Sequence, residues 1–413
     1  MRKDHFKILY PGIGIKRWLI LSLIGIIIVI FGSVFVSFPY GLVKTFGFVW
    51  IICGMVLIVM GVGKMIVSLL TSLLPKGERD LVDILYQKRF LERGPKIVTI
   101  GGGHGLSHLI FGLKEYTSNI TAIVTVADSG GSSGKLREEF NIVAPGDIRN
   151  CLVALADSPA LLGQLFQYRF SADSALKGHN FGNLFLTAMY QLTGGDFEKA
   201  VQETSKVLAI RGKVVPSTVS NIHLIAEYED GTRTRGEDKI PNPKSRIKRL
   251  FLTNKEAFPT KDSLTAIEDA DVIIIGPGSL YTSVIPNLII KGMSEAVAKS
   301  TALKIYVCNI MTQHGETDGY SAYEHLQAII DHSSREIIDV CLLNNAAVPN
   351  DSILKYEAEQ SYVVMSDVSR IEEKGYRVMA TDLIGVNDYV RHDSVKLNKA
   401  LIELIESNRL IKR

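Results

Sequence analysis

A chain of 413 residues has room for two or three structural units, and 46% hydrophobic residues with a mean hydropathy of +0.18 exclude a disordered chain and sit high for a wholly soluble one. The net charge of +3 is too small to argue for a nucleic-acid partner. Cys53, Cys151, Cys308 and Cys341 are scattered without a Cys-x-x-Cys pair, so neither a disulfide framework nor a thiolate metal site is indicated.

The apolar excess lies at the N-terminus. Leu19 to Phe38 is twenty residues without a charge and Phe46 to Gly63 is eighteen more, each near the length that crosses a hydrocarbon core of about 30 Å. A cleaved signal peptide is a poorer reading, because the first apolar run is too long and a second follows within a few residues. Arg2, Lys3, Lys7, Lys16 and Arg17 precede the first span, the connecting loop holds only Lys44, and Lys64, Lys76, Arg79, Lys88, Arg89 and Arg93 follow the second. That distribution predicts a hairpin with both ends in the cytoplasm. Gly25, Gly32, Gly54 and Gly61 suit close helix packing, and Trp18, Tyr40 and Trp50 suit the interfaces. The division expected is a membrane hairpin over 1–78 (spans at about 19–38 and 46–63), a linker helix over 79–95, and an α/β domain over 96–413. The apolar stretch from Met65 to Leu74 either extends the second span or lies along the surface, and Pro75 and Gly77 end it.

Lys96 to Leu106 turns from a β-branched run into four glycines among five residues, Gly101, Gly102, Gly103 and Gly105 around His104. The pattern predicts a buried parallel strand, a tight loop, and a helix from Ser107 with Leu106, Leu109, Ile110 and Leu113 on one side. Free N–H groups at such a helix start attract phosphate. The dinucleotide fingerprint fails at its third glycine, which disfavours an NAD-linked oxidoreductase.

Further apolar strands at Ile120 to Val126, Asp271 to Ile275, Lys304 to Cys308 and Ile337 to Leu343 alternate with helical stretches at Ile148 to Leu155, Ala160 to Arg169, Phe181 to Gln191, Phe197 to Leu208 and Ile289 to Ser300. This rhythm predicts a Rossmann-like, doubly wound, mostly parallel sheet. Val219 to Arg249 breaks it around a Glu229 to Gly231 turn and predicts an inserted hairpin. The basic run Lys244, Arg246, Lys248 and Arg249 is read first as a solvated face, with a phosphate or acidic-lipid contact as the sharper reading.

The second strand ends in Asp128, Ser129, Gly130, Gly131, Ser132, Ser133 and Gly134, with Lys135 and Arg137 just beyond. An acidic residue here can accept from ribose hydroxyls and the basic pair can hold phosphate; the plainer reading is that Asp128 caps a turn. Pro145-Gly146-Asp147-Ile148-Arg149-Asn150, then Gly178-His179 with Gly182-Asn183, then Gly276-Pro277-Gly278-Ser279-Leu280-Tyr281-Thr282-Ser283 follow. Three Gly-rich loops at strand ends define the crevice in which open α/β sheets bind ligands.

These motifs, with Met311-Thr312-Gln313 and Gly315 to Gly319, resemble the YvcK-type gluconeogenesis-factor family of the CofD-like (2-phospho-L-lactate transferase) superfamily over nearly all of Lys96 to Arg391. The resemblance implies a Rossmann-like domain that binds a nucleotide sugar, UDP-N-acetylglucosamine or UDP-glucose, and a regulator linking carbon metabolism to cell shape and envelope synthesis. It implies ligand contacts at Gly101, Gly102, Gly103, His104, Gly105, Asp128, Gly130, Gly131, Ser132, Ser133, Lys135, Arg137, Asp147, Arg149, Asn150, His179, Asn183, Gly276, Gly278, Ser279, Tyr281 and Thr282. No catalytic residue, cofactor or metal is assigned. The alternative is a CofD-like transferase moving a 2-phospholactyl-type group from a nucleotide carrier, with Lys135, Arg137 and Arg149 as clamps and Asp128 holding Mg. His104, Ser129 and His314 depart from the common Thr, Asp and Pro. Expected partners are the nucleotide sugar and a lipid bilayer, with a homo-oligomer left open and no nucleic acid. The expected location is a bacterial plasma membrane with the main domain in the cytoplasm.

Overall fold

The computed structural model describes residues 15–73, 89–157, 160–171, 174–241, 245–386 and 390–411. They fall into two compact units, Met1–Arg89 and Phe90–Arg413.

The first unit is a helix pair, α1 (Ile15–Val36) and α2 (Gly41–Leu73), each long and apolar enough to cross a membrane. Large apolar side chains such as Leu23, Ile30, Val56 and Val59 point outward, which suits a lipid surface rather than a water-exposed one. Where the helices meet, an added Cβ on Gly25 would lie 2.7 Å from the Gly54 carbonyl oxygen, and one on Gly32 would lie 2.9 Å from that of Gly47. Only glycine lets the backbones approach so closely. Phe35 and Trp50 add an edge-to-face ring contact at 6.0 Å. Helix α2 continues through Lys64 to Leu73, so the following apolar stretch is part of the second helix. The expected linker helix falls mostly outside the described residues, which show one helical turn at 89–92. Arg2, Lys3, Lys7, Lys76, Arg79, Lys88, Pro75 and Gly77 also lie outside them.

The second unit is the expected doubly wound α/β domain. Its strands are β1 (Ile97–Gly101), β2 (Ile120–Val124), β3 (Lys213–Pro216), β4 (Leu224–Tyr228), β5 (Arg233–Arg235), β6 (Ile247–Leu252), β7 (Val272–Ile275), β8 (Leu303–Val307), β9 (Val340–Asn344), β10 (Arg377–Thr381), β11 (Ile384–Val386) and β12 (Val390–His392). Seven of them form one all-parallel sheet in the order β10-β9-β8-β7-β1-β2-β3. Central strands are buried on both faces, which is why β1 and β7 read as continuous β-branched runs. Helix α3 (Gly103–Leu113) seals one face with Leu106, Leu109, Ile110 and Leu113, the side chains its spacing predicted.

Four more expected helices are present as α4 (Gly146–Leu155), α5 (Ala160–Gln167), α6 (Phe181–Leu192) and α7 (Phe197–Leu208). The stretch expected as one helix from Ile289 to Ser300 is instead interrupted. Gly292, at φ +93°, starts a separate short helix at Met293, because that backbone conformation cannot continue an α-helix. The insertion is an antiparallel sheet of three strands, β5-β4-β6, rather than a hairpin. Lys248 and Arg249 of the basic run lie on β6, where Arg249 stacks on Phe251 at 5.9 Å; Arg246 stacks on Tyr320 at 5.5 Å and pairs with Glu324 at 3.9 Å. Lys244 lies outside the described residues.

Candidate functional site

The sheet order reverses between β1 and β7: from β1 the chain steps outward to β2 and β3, and from β7 it steps the other way to β8, β9 and β10. Outside the carboxyl ends of these two strands lies a cleft of about 730 Å³, at the place where open parallel sheets bind ligands and within the usual size for a small-molecule site.

Two glycine loops build its floor. Gly103 (φ +65°) starts α3 and Gly276 (φ +77°) ends β7, both in a conformation that strains other residues. The loops are pressed together: an added Cβ on Gly105 would lie 2.7 Å from the Pro277 carbonyl oxygen, and one on Gly102 would lie 2.5 Å from Asp147 Oδ2. After Gly278 the chain forms a π-helical turn, Leu280–Val284, which buried Asn287 fastens to β1 by donating from Nδ2 to the Gly101 carbonyl at 3.2 Å and the Ser283 carbonyl at 2.8 Å. The opposite loop holds this segment through Asn309 Nδ2, which donates to the Gly278 carbonyl (2.9 Å), Gln313 Nε2, which donates to Ser279 Oγ (2.8 Å), and Glu316, which accepts from Thr282.

The cleft is polarised. One wall carries His104 and His108, one turn apart on α3, with Arg391 from β12 beside them. Partial desolvation and then the Arg391 guanidinium hold both imidazoles below their ordinary value. The other wall carries Asp128, Glu237 and Glu316, and Asp147 joins it to the start of α3, where its carboxyl accepts from the Gly103 N–H. Burial, then the charge of Asp128, pushes Asp147 up to about 6 and Glu237 up to about 7, while burial alone drives Glu316 up to about 7 against its bonds to Tyr281 N–H and Thr282. His392, also lining the cleft, is lowered to about 4 by burial and bonds the Cys308 carbonyl.

These carboxyls fix a sign for stability. Unfolded carboxyls titrate near about 4, so between there and about 7 the folded state holds protons that the unfolded chain has released, and stability falls as pH rises through that window. Glu237→Gln, which removes one of the repelling charges, should therefore stabilise the protein relative to wild type at about pH 8, by on the order of 1 kcal/mol and with a higher melting temperature, and change it little at about pH 5. An equal shift at both pH values would mean that repulsion at this wall is not what the substitution relieves.

Of the residues expected from sequence, Gly103, His104, Gly105, Asp128, Asp147, Gly278, Ser279 and Thr282 line the cleft. Gly101, Gly102 and Gly276 shape the loops behind it, and Gly130 and Gly131 start the helix Gly131–Phe140. A second group sits together behind Asp128 instead of lining the cleft. Asn183 Nδ2 donates to Ser132 Oγ and Ser133 Oγ at 3.3 Å each, and Asn183 Oδ1 accepts from Arg149, which also reaches Asn150 at 2.6 Å. His179 Nδ1 lies 3.4 Å from Ser132 Oγ. Lys135 is exposed on its helix and does not line the cleft.

Two expected contacts do not line the cleft. Arg137, read as a phosphate clamp, is 2% exposed and ties its loop together by donating to Asn221 Oδ1 and to the Ile222, Ala127 and Asp128 carbonyls. Its place four residues after buried Ser133 turns it inward with that helix face. Tyr281, read as a ligand contact, is 2% exposed; its hydroxyl is 2.9 Å from that of Tyr320, and its ring meets those of Tyr320 and His332 edge-on. The π-helical turn aims it under the loop. Ser129, read as a lost carboxylate, is a latch: its Oγ donates to Asp238 Oδ1 at 2.7 Å. His108, Glu237, Glu316 and Arg391 were not singled out, because three of them come from segments whose convergence only the topology shows.

The model of the family 2-phospho-L-lactate transferase CofD matches residues 97–384. A gluconeogenesis-factor relative from Nostoc sp. is 45% identical over 96% of this chain and 92% of its own length. The gluconeogenesis factor of Bacillus subtilis is 47% identical over 76% of this chain and 98% of its own. The crystal structure of a member of the UPF0052 family from Bacillus halodurans superposes with a TM-score of 0.73 at 47% identity, covering 75% of this chain and 99% of that one.

Proposed function

This chain belongs to the CofD family and, within it, to the gluconeogenesis factors, and from that membership we propose that it is a membrane-anchored, cytoplasm-facing regulator that binds a nucleotide sugar, UDP-N-acetylglucosamine or UDP-glucose, and links carbon metabolism to cell shape and envelope synthesis. The observation that carries the reading is the polarised cleft at the β1/β7 switch point. His104, His108 and Arg391 suit a diphosphate, and the carboxyls of Asp128, Glu237 and Glu316 suit hydroxyl and amide donors. A nucleotide sugar carries both ends. The two apolar helices support attachment to a bilayer, and the Lys and Arg residues flanking them favour both ends in the cytoplasm.

The family model favours a second reading, a transferase moving a phosphate-linked group. None of the three clamps that it needs lines the cleft, since Arg137 is buried in its own loop, Lys135 is turned to solvent and Arg149 is bonded to Asn183 and Asn150. Among the described residues no three His, Cys, Asp or Glu side chains form a group that could hold a metal ion. Calorimetry of the full-length protein in detergent separates the readings. UDP-N-acetylglucosamine should bind with micromolar-range affinity, about −8 kcal/mol, whether or not magnesium is present. Tight GDP binding that requires magnesium would favour the transferase, and NAD binding would defeat both.

A further inference from the structure

The inserted sheet reaches the cleft through one turn, Gly236 to Ile240, and that turn is held from both sides. Ser129 Oγ donates to Asp238 Oδ1 at 2.7 Å and receives the Asp238 N–H at 3.3 Å, while the Ser129 N–H bonds the Glu237 carboxylate. At the far end the buried Tyr228 hydroxyl donates to the Ile240 carbonyl at 2.6 Å. Gly236 enters the turn at φ +110°, a conformation reserved for glycine. The result is a fixed turn that lays Glu237 against the wall of Asp128 and Asp147, with no cation paired to it among the described residues. A like charge placed there costs the free protein stability, and its bond to the Ser129 N–H is one of several that dock the turn, beside those of Asp238 and Tyr228. On the same wall Glu316 is 6% exposed and its Oε2 has no hydrogen-bond partner, as is also true of Gln313 Oε1. The wall therefore holds two buried oxygens without a donor, beside carboxylates that each accept from a backbone N–H and keep further acceptor capacity.

We propose that Glu237 is the specificity residue by which the inserted sheet reads the non-phosphate end of the ligand, accepting hydrogen bonds from the hydroxyl or acetamide N–H groups of a sugar while the phosphates lie against His104, His108 and Arg391. The proposal rests on the nucleotide-sugar reading above and divides its ligand between the two walls. Donors that bond the carboxylate favour its ionised form, so sugar binding releases a proton where Glu237 titrates and strengthens as pH rises through about 7.

The test is calorimetry on the full-length protein in detergent at about pH 8, with UDP and UDP-N-acetylglucosamine as separate probes, on wild type, Glu237→Ala, Glu237→Gln and Arg391→Ala. Glu237→Ala should weaken UDP-N-acetylglucosamine at least about tenfold and UDP by less than about twofold, and Glu237→Gln, which keeps an acceptor, should lie between wild type and Glu237→Ala. Arg391→Ala should weaken both ligands alike. A thermal melt keeps folding separate, because removing Glu237 relieves repulsion and should not lower stability. Equal loss for UDP and UDP-N-acetylglucosamine in Glu237→Ala, or no loss for either, overturns the proposal while leaving the nucleotide-sugar reading standing. Wild-type protein that binds neither probe overturns that reading, and this one with it.

Discussion

Tyr281→Ala should lower the melting temperature by several degrees or more and leave the affinity of the folded fraction for its ligand nearly unchanged. The ring is 2% exposed, closed between Tyr320 and His332, with its hydroxyl 2.9 Å from that of Tyr320 and 3.4 Å from the Ile247 carbonyl oxygen. Truncating a buried aromatic costs about 3–5 kcal/mol, through lost apolar burial and the cavity left behind. Here the cavity would open where the π-helical turn, β6 and the helix Ala322–Asp331 meet. Tyr281→Phe keeps the ring and loses only the hydroxyl's bonds, so its cost should be about 1 kcal/mol. Thermal melts of the two variants beside calorimetry decide the matter. If Tyr281→Ala melts like wild type but binds its nucleotide sugar at least about tenfold more weakly, the ring is a ligand contact after all and its burial is relieved when ligand enters.

How much of this was legible before the fold follows from what each residue type reports. Ile97 to Ile100 and Val272 to Ile275 are central strands buried on both faces, so their composition alone betrays them. Lys213–Pro216 and Arg377–Thr381 are the two edge strands of the same sheet; the first is four residues long and ends in proline, the second is half-exposed and mixed in composition, and neither was anticipated. The glycine loops were legible for a related reason. Gly103 and Gly276 must be glycine because of their own backbone conformation, and that requirement is local. Side-chain direction is not local. Arg137 and Tyr281 stand in the right loops and face the wrong way, because a helix and a π-helical turn, unlike an extended loop, bury one side of the chain. Glu237 and Arg391 were least visible. They come from an inserted sheet and from the β11–β12 hairpin, more than a hundred residues apart in sequence, and meet only because both elements lie over the carboxyl ends of the parallel strands. The Ser129 departure illustrates the same limit. Counted as a missing carboxylate it weakened an acidic site, yet Asp147 and Glu237 supply acidic groups from other segments, and an Asp at 129 would face Asp238 where the serine hydroxyl now bonds it.

Gly105→Ala should reduce nucleotide-sugar affinity by about ten- to a hundredfold, and a structure of the variant should show the two glycine loops pushed apart. Gly105 has ordinary helical backbone, so the substitution introduces no dihedral strain and its effect is purely one of contact. The added methyl would lie 2.7 Å from the Pro277 carbonyl oxygen, 3.0 Å from its carbon and 3.2 Å from the Gly278 nitrogen. All three are backbone atoms, so no side-chain rotation can make room. They are also immobile, because Gly278 is bonded to Asn309, and Asn287 fastens the π-helical turn to β1. The strain must then open the joint between the β1 and β7 loops, which is the floor of the cleft, and overpacking of this kind costs about 1–3 kcal/mol. Whatever part of that strain ligand binding has to undo appears as lost affinity, at about 1.4 kcal/mol per factor of ten. Gly163→Ala is the matched control, since an added Cβ there meets nothing closer than Val153 at 3.9 Å and the position lies within a helix, where alanine is favoured by up to about 1 kcal/mol. That variant should bind like wild type and melt no lower. If Gly105→Ala also binds like wild type, the close approach of the two loops is not needed for ligand binding, and the ligand lies elsewhere than over the β1/β7 switch point.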